Sequence, residues 1–168
     1  AFALNPRLLP EDWEADVDEQ EFSRYLENPP HWLNDYALFM VLRRQFDHAP
    51  WSEWPEAYKH RNPVALAQLA SARLDEILEL KKAQFQLHVL WHKLRQDATE
   101  KNIQLFGDMP IFVAYDSVEV WVQPKQFKLN ANLQPEVVTG VPPDYFSETG
   151  QRWGNPHYNW EVMEQDNF

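Results

Sequence analysis

The longest stretch without helix-breaking residues constrains the fold of this chain most. Residues 64–102 contain neither Gly nor Pro, and their apolar residues recur at the three- and four-residue spacing of one helical face. That stripe comprises Leu66, Leu69, Ala70, Leu74, Ile77, Leu78, Phe85, Val89 and Leu94. The pattern predicts one long helix, or two joined helices, and therefore a largely α-helical core.

Shorter helices are predicted on the N-terminal side of this stretch. The apolar spacing and the flanking prolines indicate helices over residues 18–27, 31–46 and 56–61. Asp16 or Asp18 is the expected cap of the first of these helices. The segment 1–17 is predicted to be an irregular lead, because its two prolines oppose a helix.

Composition and charge narrow the range of partners. The 168 residues suffice for one domain with a core. A net charge of −11 argues against nucleic acid and against an anionic membrane, since phosphates would be repelled, whereas a neutral ligand fits. The absence of cysteine excludes disulfides and thiolate metal sites and is compatible with a reducing cytosol. A cytoplasmic location is expected.

The sequence lacks the motifs of several common kinds of catalytic site. The four glycines form no phosphate-binding loop, and no Gly-x-Ser-x-Gly elbow is present, which argues against nucleotide-dependent and serine-hydrolase chemistry. His88 and His92 have the spacing of two zinc ligands on a helix, but only Val-Leu-Trp stands between them. They are predicted to be packed or solvated, and neither a metal nor a cofactor is expected.

The segment from residue 103 to residue 160 differs in character from the helical part. The apolar run 103–115 follows a long helix and predicts a buried strand. A small hairpin is predicted over 127–140, around Asn130-Ala-Asn132. Residues 140–160 mix aromatic residues with Pro and Gly, which predicts an ordered functional loop rather than a helix or strand.

The aromatic surplus and two carboxylates suggest a ligand. Eight Trp are more than packing usually needs, and aromatic faces commonly stack on sugar rings, although packing in the core is the alternative for each one. Asp108 and Asp116 bracket the predicted strand, and a carboxylate at the end of a barrel strand usually belongs to an active site. The alternatives are that Asp108 binds backbone N–H groups of a neighbouring loop and that Asp116-Ser117 caps a helix.

Two motifs carry a family resemblance. Residues 107–121, GDMPIFVAYDSVEVW, and 140–156, GVPPDYFSETGQRWGNP, resemble the 4-alpha-glucanotransferases of glycoside hydrolase family 77, also called amylomaltase or disproportionating enzyme. The resemblance covers essentially the whole chain. It implies a (β/α)8 barrel with insertions, and the transfer of α-1,4-glucan segments between maltooligosaccharides with retention of configuration.

The same resemblance implies that catalytic groups lie elsewhere. Retaining transfer requires a carboxylate nucleophile and a second carboxyl group as acid/base. The family's Arg-x-Asp nucleophile segment and Gly-Glu-Asp acid/base segment are absent here, so no residue of this chain is expected to be catalytic. The nucleophile segment is expected beyond Phe168, and the isolated chain is expected to be inactive.

The resemblance also implies a division of the chain. Residues 1–102 would be a helical insertion and barrel helices, and 103–168 a barrel strand with a small hairpin and an aromatic glucan-binding loop. The expected fold is thus predominantly α with a small β component, a barrel fragment holding about one barrel strand. Because one strand cannot close a barrel, self-association of the truncated chain is expected.

The glucan-binding residues implied by the resemblance combine stacking faces with hydrogen-bonding groups. They are Asp108, Asp116, Asp144, Tyr145, Phe146, Gln151, Trp153 and Asn155. They are expected to contact the acceptor side of a maltooligosaccharide or another α-1,4-glucan. The alternative is a non-catalytic helical module that binds carbohydrate or a protein partner, and it predicts that the open reading frame stops at Phe168.

Overall fold

A computed structural model describes residues 18–167 and shows a mostly α-helical chain with one two-stranded antiparallel sheet. The predicted class, predominantly α with a small β component, is confirmed. The described residues divide into two compact units that alternate along the chain. The first unit comprises 18–41 and 66–108, and the second comprises 42–65 and 109–167.

The helices are α1 (Glu19–Glu27), α2 (Leu33–Gln45), α3 (Glu56–Lys59), α4 (Pro63–Ala72), α5 (Leu74–Glu100), α6 (Val118–Val122) and α7 (Trp160–Gln165). Short 3-10 turns lie at Trp51–Glu53 and Pro124–Gln126. The strands are β1 (Val138–Val141) and β2 (Gln151–Pro156). The predicted lead, 1–17, lies outside the described residues.

The first unit is built on the packing of α1 against α5. Asp18 caps α1, because its carboxylate accepts hydrogen bonds from the backbone N–H groups of the first turn. Phe22 and Tyr25 place their rings 5.6 and 5.1 Å from the ring of Phe85 on α5. The buried Gln84 donates to the hydroxyl of Tyr36, so that this polar side chain has a partner in the core.

The stretch without Gly and Pro forms two consecutive helices, α4 and α5, which meet at Arg73. This agrees with one of the two predicted forms. The predicted apolar stripe is buried at Leu66, Leu69, Ile77 and Phe85 and exposed at Leu74, Val89 and Leu94. After the exposed Leu74, the stripe is therefore buried over the first part of α5 and reaches the surface in its second part, where Val89 and Leu94 lie.

Three tryptophans form the centre of the second unit, where Trp51, Trp54 and Trp121 are buried. Each buried indole N–H donates to a backbone carbonyl: to Tyr115, Ala49 and Tyr58, respectively. The Arg61 guanidinium lies 4.3 Å from the centre of the Trp121 ring. For these three tryptophans, core packing is the correct interpretation.

The strand pairing differs from the prediction in two places. β1 pairs with β2, so the segment 140–160 contains a strand, and only 142–150 between the strands is loop. The predicted hairpin around Asn130 is a tight turn closed by a bridge between Leu129 and Pro135. The Asn130 side chain stabilises this turn by accepting from the backbone N–H groups of Asn132 and Gln134.

The strand predicted over residues 103–115 is not present. Residues 103–110 contain no regular secondary structure, and Ile103, Leu105 and Phe106 are exposed. A strand requires a neighbour that pairs with its backbone N–H and C=O groups, and the described part of the chain offers this run no such ladder. Among the described helices, none has both the length and the apolar character to cross a membrane.

Candidate functional site

The β1–β2 hairpin contains a bulge that alters the direction of its side chains. Val138 pairs with Pro156 and Gly140 with Arg152, so a step of two residues on β1 faces a step of four on β2. Gly154 sits inside this longer step with φ +81°, in the left-handed region that favours glycine. Bulges of this kind interrupt the alternation of a strand and redirect its side chains.

Trp153 and Gln151 form a connected pair on β2. The indole Nε1 of Trp153 donates to Oε1 of Gln151 over 3.0 Å. About half of the Trp153 side-chain surface is exposed, at 51%, and Gln151 is exposed as well. The pair therefore offers an aromatic face beside an amide group, which together suit the apolar face and the hydroxyl rim of a sugar ring.

Asn155 has a different role on the far side of the bulge. Its Nδ2 donates to the carbonyl of Val113 over 2.9 Å, and its Oδ1 accepts from the Thr139 hydroxyl over 3.2 Å. Tyr158 donates its hydroxyl to the carbonyl of Ile111 over 3.0 Å. Asn155 and Tyr158 thus fasten the backbone of residues 111–113 to the hairpin region.

The loop between the strands is closed by its own polar groups. Asp144 Oδ1 accepts from the backbone N–H groups of Phe146 and Ser147 at 2.9 and 2.8 Å. The Ser147 hydroxyl donates to the carbonyl of Gly150 over 2.8 Å. Gly150 has φ +75°, and a Cβ there would lie 2.5 Å from the carbonyl oxygen of Val141, so glycine is required.

Two aromatic residues project from this loop. Tyr145 and Phe146 are 97% and 89% exposed, and their ring centroids are 5.7 Å apart at an interplanar angle of 87°. Exposed aromatic side chains that adjoin one another are a common feature of binding surfaces. The loop is therefore the strongest candidate for a ligand contact in the second unit.

Asp116 is engaged in contacts within the second unit. Its Oδ2 forms an ion pair with Arg43, and its Oδ1 accepts from the backbone N–H of Trp51 over 3.1 Å. Burial raises the pKa of the neighbouring Tyr115; the Asp116 charge adds to the rise, and a hydrogen bond with Ser52 opposes it. The helix cap next to it is Ser117, whose hydroxyl accepts from the N–H of Val120 at the start of α6.

The hairpin brings together six of the eight predicted binding residues. These are Asp144, Tyr145, Phe146, Gln151, Trp153 and Asn155. Asp116 belongs to the same unit but lies just before α6, and Asp108 is an exposed residue of the first unit. Sequence reasoning missed Thr139 and Tyr158, because their role depends on hydrogen bonds to partners 16 and 47 residues away.

His88 and His92 lie in a surface groove of the first unit. The groove has a volume of about 420 Å³ and is lined by Glu21, Arg24, Phe85, His88, Val89 and His92. The imidazole centroids are 4.4 Å apart, and burial, together with the His92 side chain, lowers the pKa of His88. The described residues include no group of three or more His, Asp or Glu side chains that could hold a metal ion.

Comparisons with known proteins agree on one family. The family model described as 4-alpha-glucanotransferase matches residues 6–168. A 4-alpha-glucanotransferase of Thermus thermophilus is 45% identical over 155 residues, which are 92% of this chain and 31% of that protein. A chloroplastic/amyloplastic 4-alpha-glucanotransferase of Solanum tuberosum is 42% identical over 96% of this chain and 28% of its own length.

A solved structure shows the same fold. The amylomaltase from Streptococcus agalactiae in complex with acarbose superposes with a TM-score of 0.83 at 38% identity. The match covers 89% of this chain and 30% of that chain. The chain described here thus spans less than a third of the length of these relatives.

Proposed function

The chain belongs to the 4-alpha-glucanotransferase family, and from this we propose that it supplies acceptor-side glucan contacts within a longer transferase. That enzyme transfers α-1,4-glucan segments between maltooligosaccharides with retention. The observation that carries the proposal is the hairpin of the second unit, which holds Tyr145 and Phe146 outward on a closed loop.

The hairpin has the chemistry that an α-glucan requires. A glucose ring presents an apolar face to an aromatic side chain and a rim of hydroxyls to amide and carboxylate groups. Tyr145, Phe146 and Trp153 supply exposed rings, and Gln151 supplies an amide beside the Trp153 indole. The acarbose bound to the Streptococcus agalactiae amylomaltase supports a carbohydrate ligand for this fold.

The catalytic carboxylates are proposed to come from parts of the enzyme outside this chain. Retaining transfer requires two carboxyl groups about 5 Å apart on either side of the scissile bond. Asp116 is paired with Arg43, and Asp144 accepts two backbone N–H groups, so neither resembles a nucleophile held ready for attack. Asp108 is proposed as a glucan contact in the complete enzyme.

Three further features belong to this proposal. Residues 1–102 would supply the helical insertion and barrel helices, and 103–168 the parts that approach the glucan. The enzyme would act in the cytoplasm without a cofactor. The isolated chain would be inactive and would associate with itself through its exposed apolar residues, among them Ile103, Leu105 and Phe106.

Transfer from maltotriose to added maltose, catalysed by the complete enzyme, tests the glucan contacts. Replacing Tyr145, Phe146 and Trp153 together by Ala should raise the KM for a maltose acceptor by about tenfold or more, because each lost ring contact contributes roughly 0.5 to 1.5 kcal/mol. Glucose release and product length report the activity. Trp91→Ala is the control, since Trp91 is 52% exposed on α5 of the first unit, close to the 51% of Trp153.

Two results would contradict the proposal. An unchanged acceptor KM in the triple variant would remove the hairpin from the binding site. Absence of transfer by the complete protein, together with glucan binding by the 168-residue chain, would favour the non-catalytic binding module instead.

A further inference from the structure

We infer that Asp144 is a positioning residue, whose carboxylate holds the loop that presents Tyr145 and Phe146 and does not itself bond the glucan. The inference rests on the proposed function of those two aromatic side chains. It assigns Asp144 a task that its acidic character alone does not suggest, since an acidic residue in a sugar site is ordinarily taken as a partner for hydroxyls.

The first observation is the way in which Asp144 closes the loop. A single oxygen, Oδ1, accepts from the N–H groups of Phe146 and Ser147, and the Asp144 backbone N–H donates to the carbonyl of Ser147 over 2.9 Å. The side chain and the backbone of one residue therefore close the same short turn. Asp and Asn favour such turns because their oxygen reaches the backbone two or three residues onward.

The second observation is that the rest of the loop is fixed on both sides of the aromatic pair. Ser147 exchanges hydrogen bonds with Gly150 through its hydroxyl and its carbonyl. The strands enclose the loop through the pairing of Val141 with Gln151. Tyr145 and Phe146 thus lie on a loop that is fixed by hydrogen bonds before and after them. Their own side chains are almost fully exposed.

Among the described residues, little besides this turn holds the two rings in place, so the turn should affect affinity. A flexible loop would have to be ordered when the glucan binds, and this loss of conformational freedom reduces the net affinity. The hydrogen bonds of the Asp144 turn supply part of this ordering before the ligand arrives. Removing the turn should therefore weaken acceptor binding while leaving the chemistry of the bound complex unchanged.

Asp144→Asn and Asp144→Ala separate positioning from direct contact in the complete enzyme. Asn keeps an oxygen that accepts from the Phe146 and Ser147 N–H groups but loses the charge, whereas Ala loses both. Positioning predicts a rise of about three- to tenfold in acceptor KM for Asp144→Ala, the size expected for lost hydrogen bonds, with kcat nearly unchanged and Asp144→Asn close to wild type. Glu148→Ala is the matched control on an exposed acidic residue of the same loop.

A double-mutant cycle provides a readout that a general loss of stability would not reproduce. If Asp144 acts only through the two rings, Asp144→Ala should add nothing to the acceptor KM of a variant that already carries Tyr145→Ala and Phe146→Ala. Amide exchange at residues 146 and 147 should accelerate in Asp144→Ala and stay slow in Asp144→Asn.

The outcomes distinguish this inference from the function on which it rests. If Asp144→Asn and Asp144→Ala raise the acceptor KM equally, while amide exchange in the Asn variant stays slow, Asp144 recognises the glucan directly and the inference is overturned. The inference would also be overturned if Asp144→Ala raised the acceptor KM by the same factor in the variant that carries Tyr145→Ala and Phe146→Ala. If removing the two rings leaves the acceptor KM unchanged, the proposed function fails as well.

Discussion

At the residue scale, Asp116 holds separate parts of the second unit together through both of its oxygens. It joins Arg43 near the end of α2 to the backbone of Trp51, whose indole in turn reaches the carbonyl of Tyr115. The ion pair is partly exposed, so its Coulombic contribution is small, about 1 kcal/mol or less. The main effect of the Asp116 contacts is to fix the position of the backbone just before α6 begins at Val118.

The free energy of unfolding of the first unit is predicted to depend on pH through His88. Its imidazole faces His92 of α5, and Glu21 and Arg24 of α1 line the same groove. Burial and His92 lower its folded-state pKa, so the unfolded chain binds the proton more readily. The free energy of unfolding should therefore fall as the pH drops from about 6.5, the ordinary value, towards the lower folded-state pKa.

The measurement is urea unfolding at pH 7.5 and 5.5, values chosen on either side of about 6.5. His88→Gln should reduce the pH-dependent part of the unfolding free energy, whereas His31→Gln, an exposed control outside the groove, should not. The same pH dependence in wild type and His88→Gln would show that His88 is not its source.

At the element scale, the two hairpin glycines with positive φ are required for different reasons. Gly154 has φ +81° but no atom within 4 Å of the Cβ position, so only its backbone conformation requires glycine. Gly150 combines φ +75° with a Cβ position 2.5 Å from a backbone oxygen. Replacement of Gly154 in the bulge should therefore be better tolerated than replacement of Gly150 in the loop.

Three glycine variants test this difference. Gly154→Ala should cost about 1 to 2 kcal/mol, Gly154→Asn less because Asn visits the left-handed region more readily, and Gly150→Ala the most. Thermal unfolding and amide exchange across the β1–β2 pairs would rank them. Gly107→Ala is the control, since its Cβ would meet nothing within 4 Å. Equal destabilisation by Gly150→Ala and Gly154→Ala would contradict the steric part of the argument.

At the scale of the whole molecule, the apolar run 103–106 lies in water instead of in a sheet. Phe106 is fully exposed, and Ile103 and Leu105 are about half exposed. Such a run offers exposed apolar surface to another molecule. This is the physical basis for the proposed self-association of the isolated chain.

Sedimentation of the 168-residue chain over a range of concentrations tests that association. The wild-type chain should sediment faster as its concentration rises, and a variant with Leu105→Ser and Phe106→Ser should remain monomeric. Trp91→Ser removes an exposed apolar side chain of α5 and serves as the control. A monomeric wild type at high concentration, or an equal effect of Trp91→Ser, would contradict the assignment to residues 103–106.

The helices were predictable because their signals are local. The Asp18 cap lies within three residues of the N–H groups that it binds, and the spacing within α4 and α5 is visible in the sequence. The pairing of β1 with β2 was missed, because it joins residues across a nine-residue loop and includes a bulge that periodicity cannot reveal. The aromatic candidates were found by residue type, whereas the partners of Asn155 required the folded backbone.

The alternation of the two units along the chain has a consequence for synthesis on the ribosome. Trp51 and Tyr58 are made well before their partners, since they bond residues that lie 64 and 63 positions later. At the usual pace of translation, these residues wait roughly 3 to 13 s for those partners to be made. During that time the Trp51 indole, which is buried in the folded chain, is exposed on the nascent chain and available to chaperones.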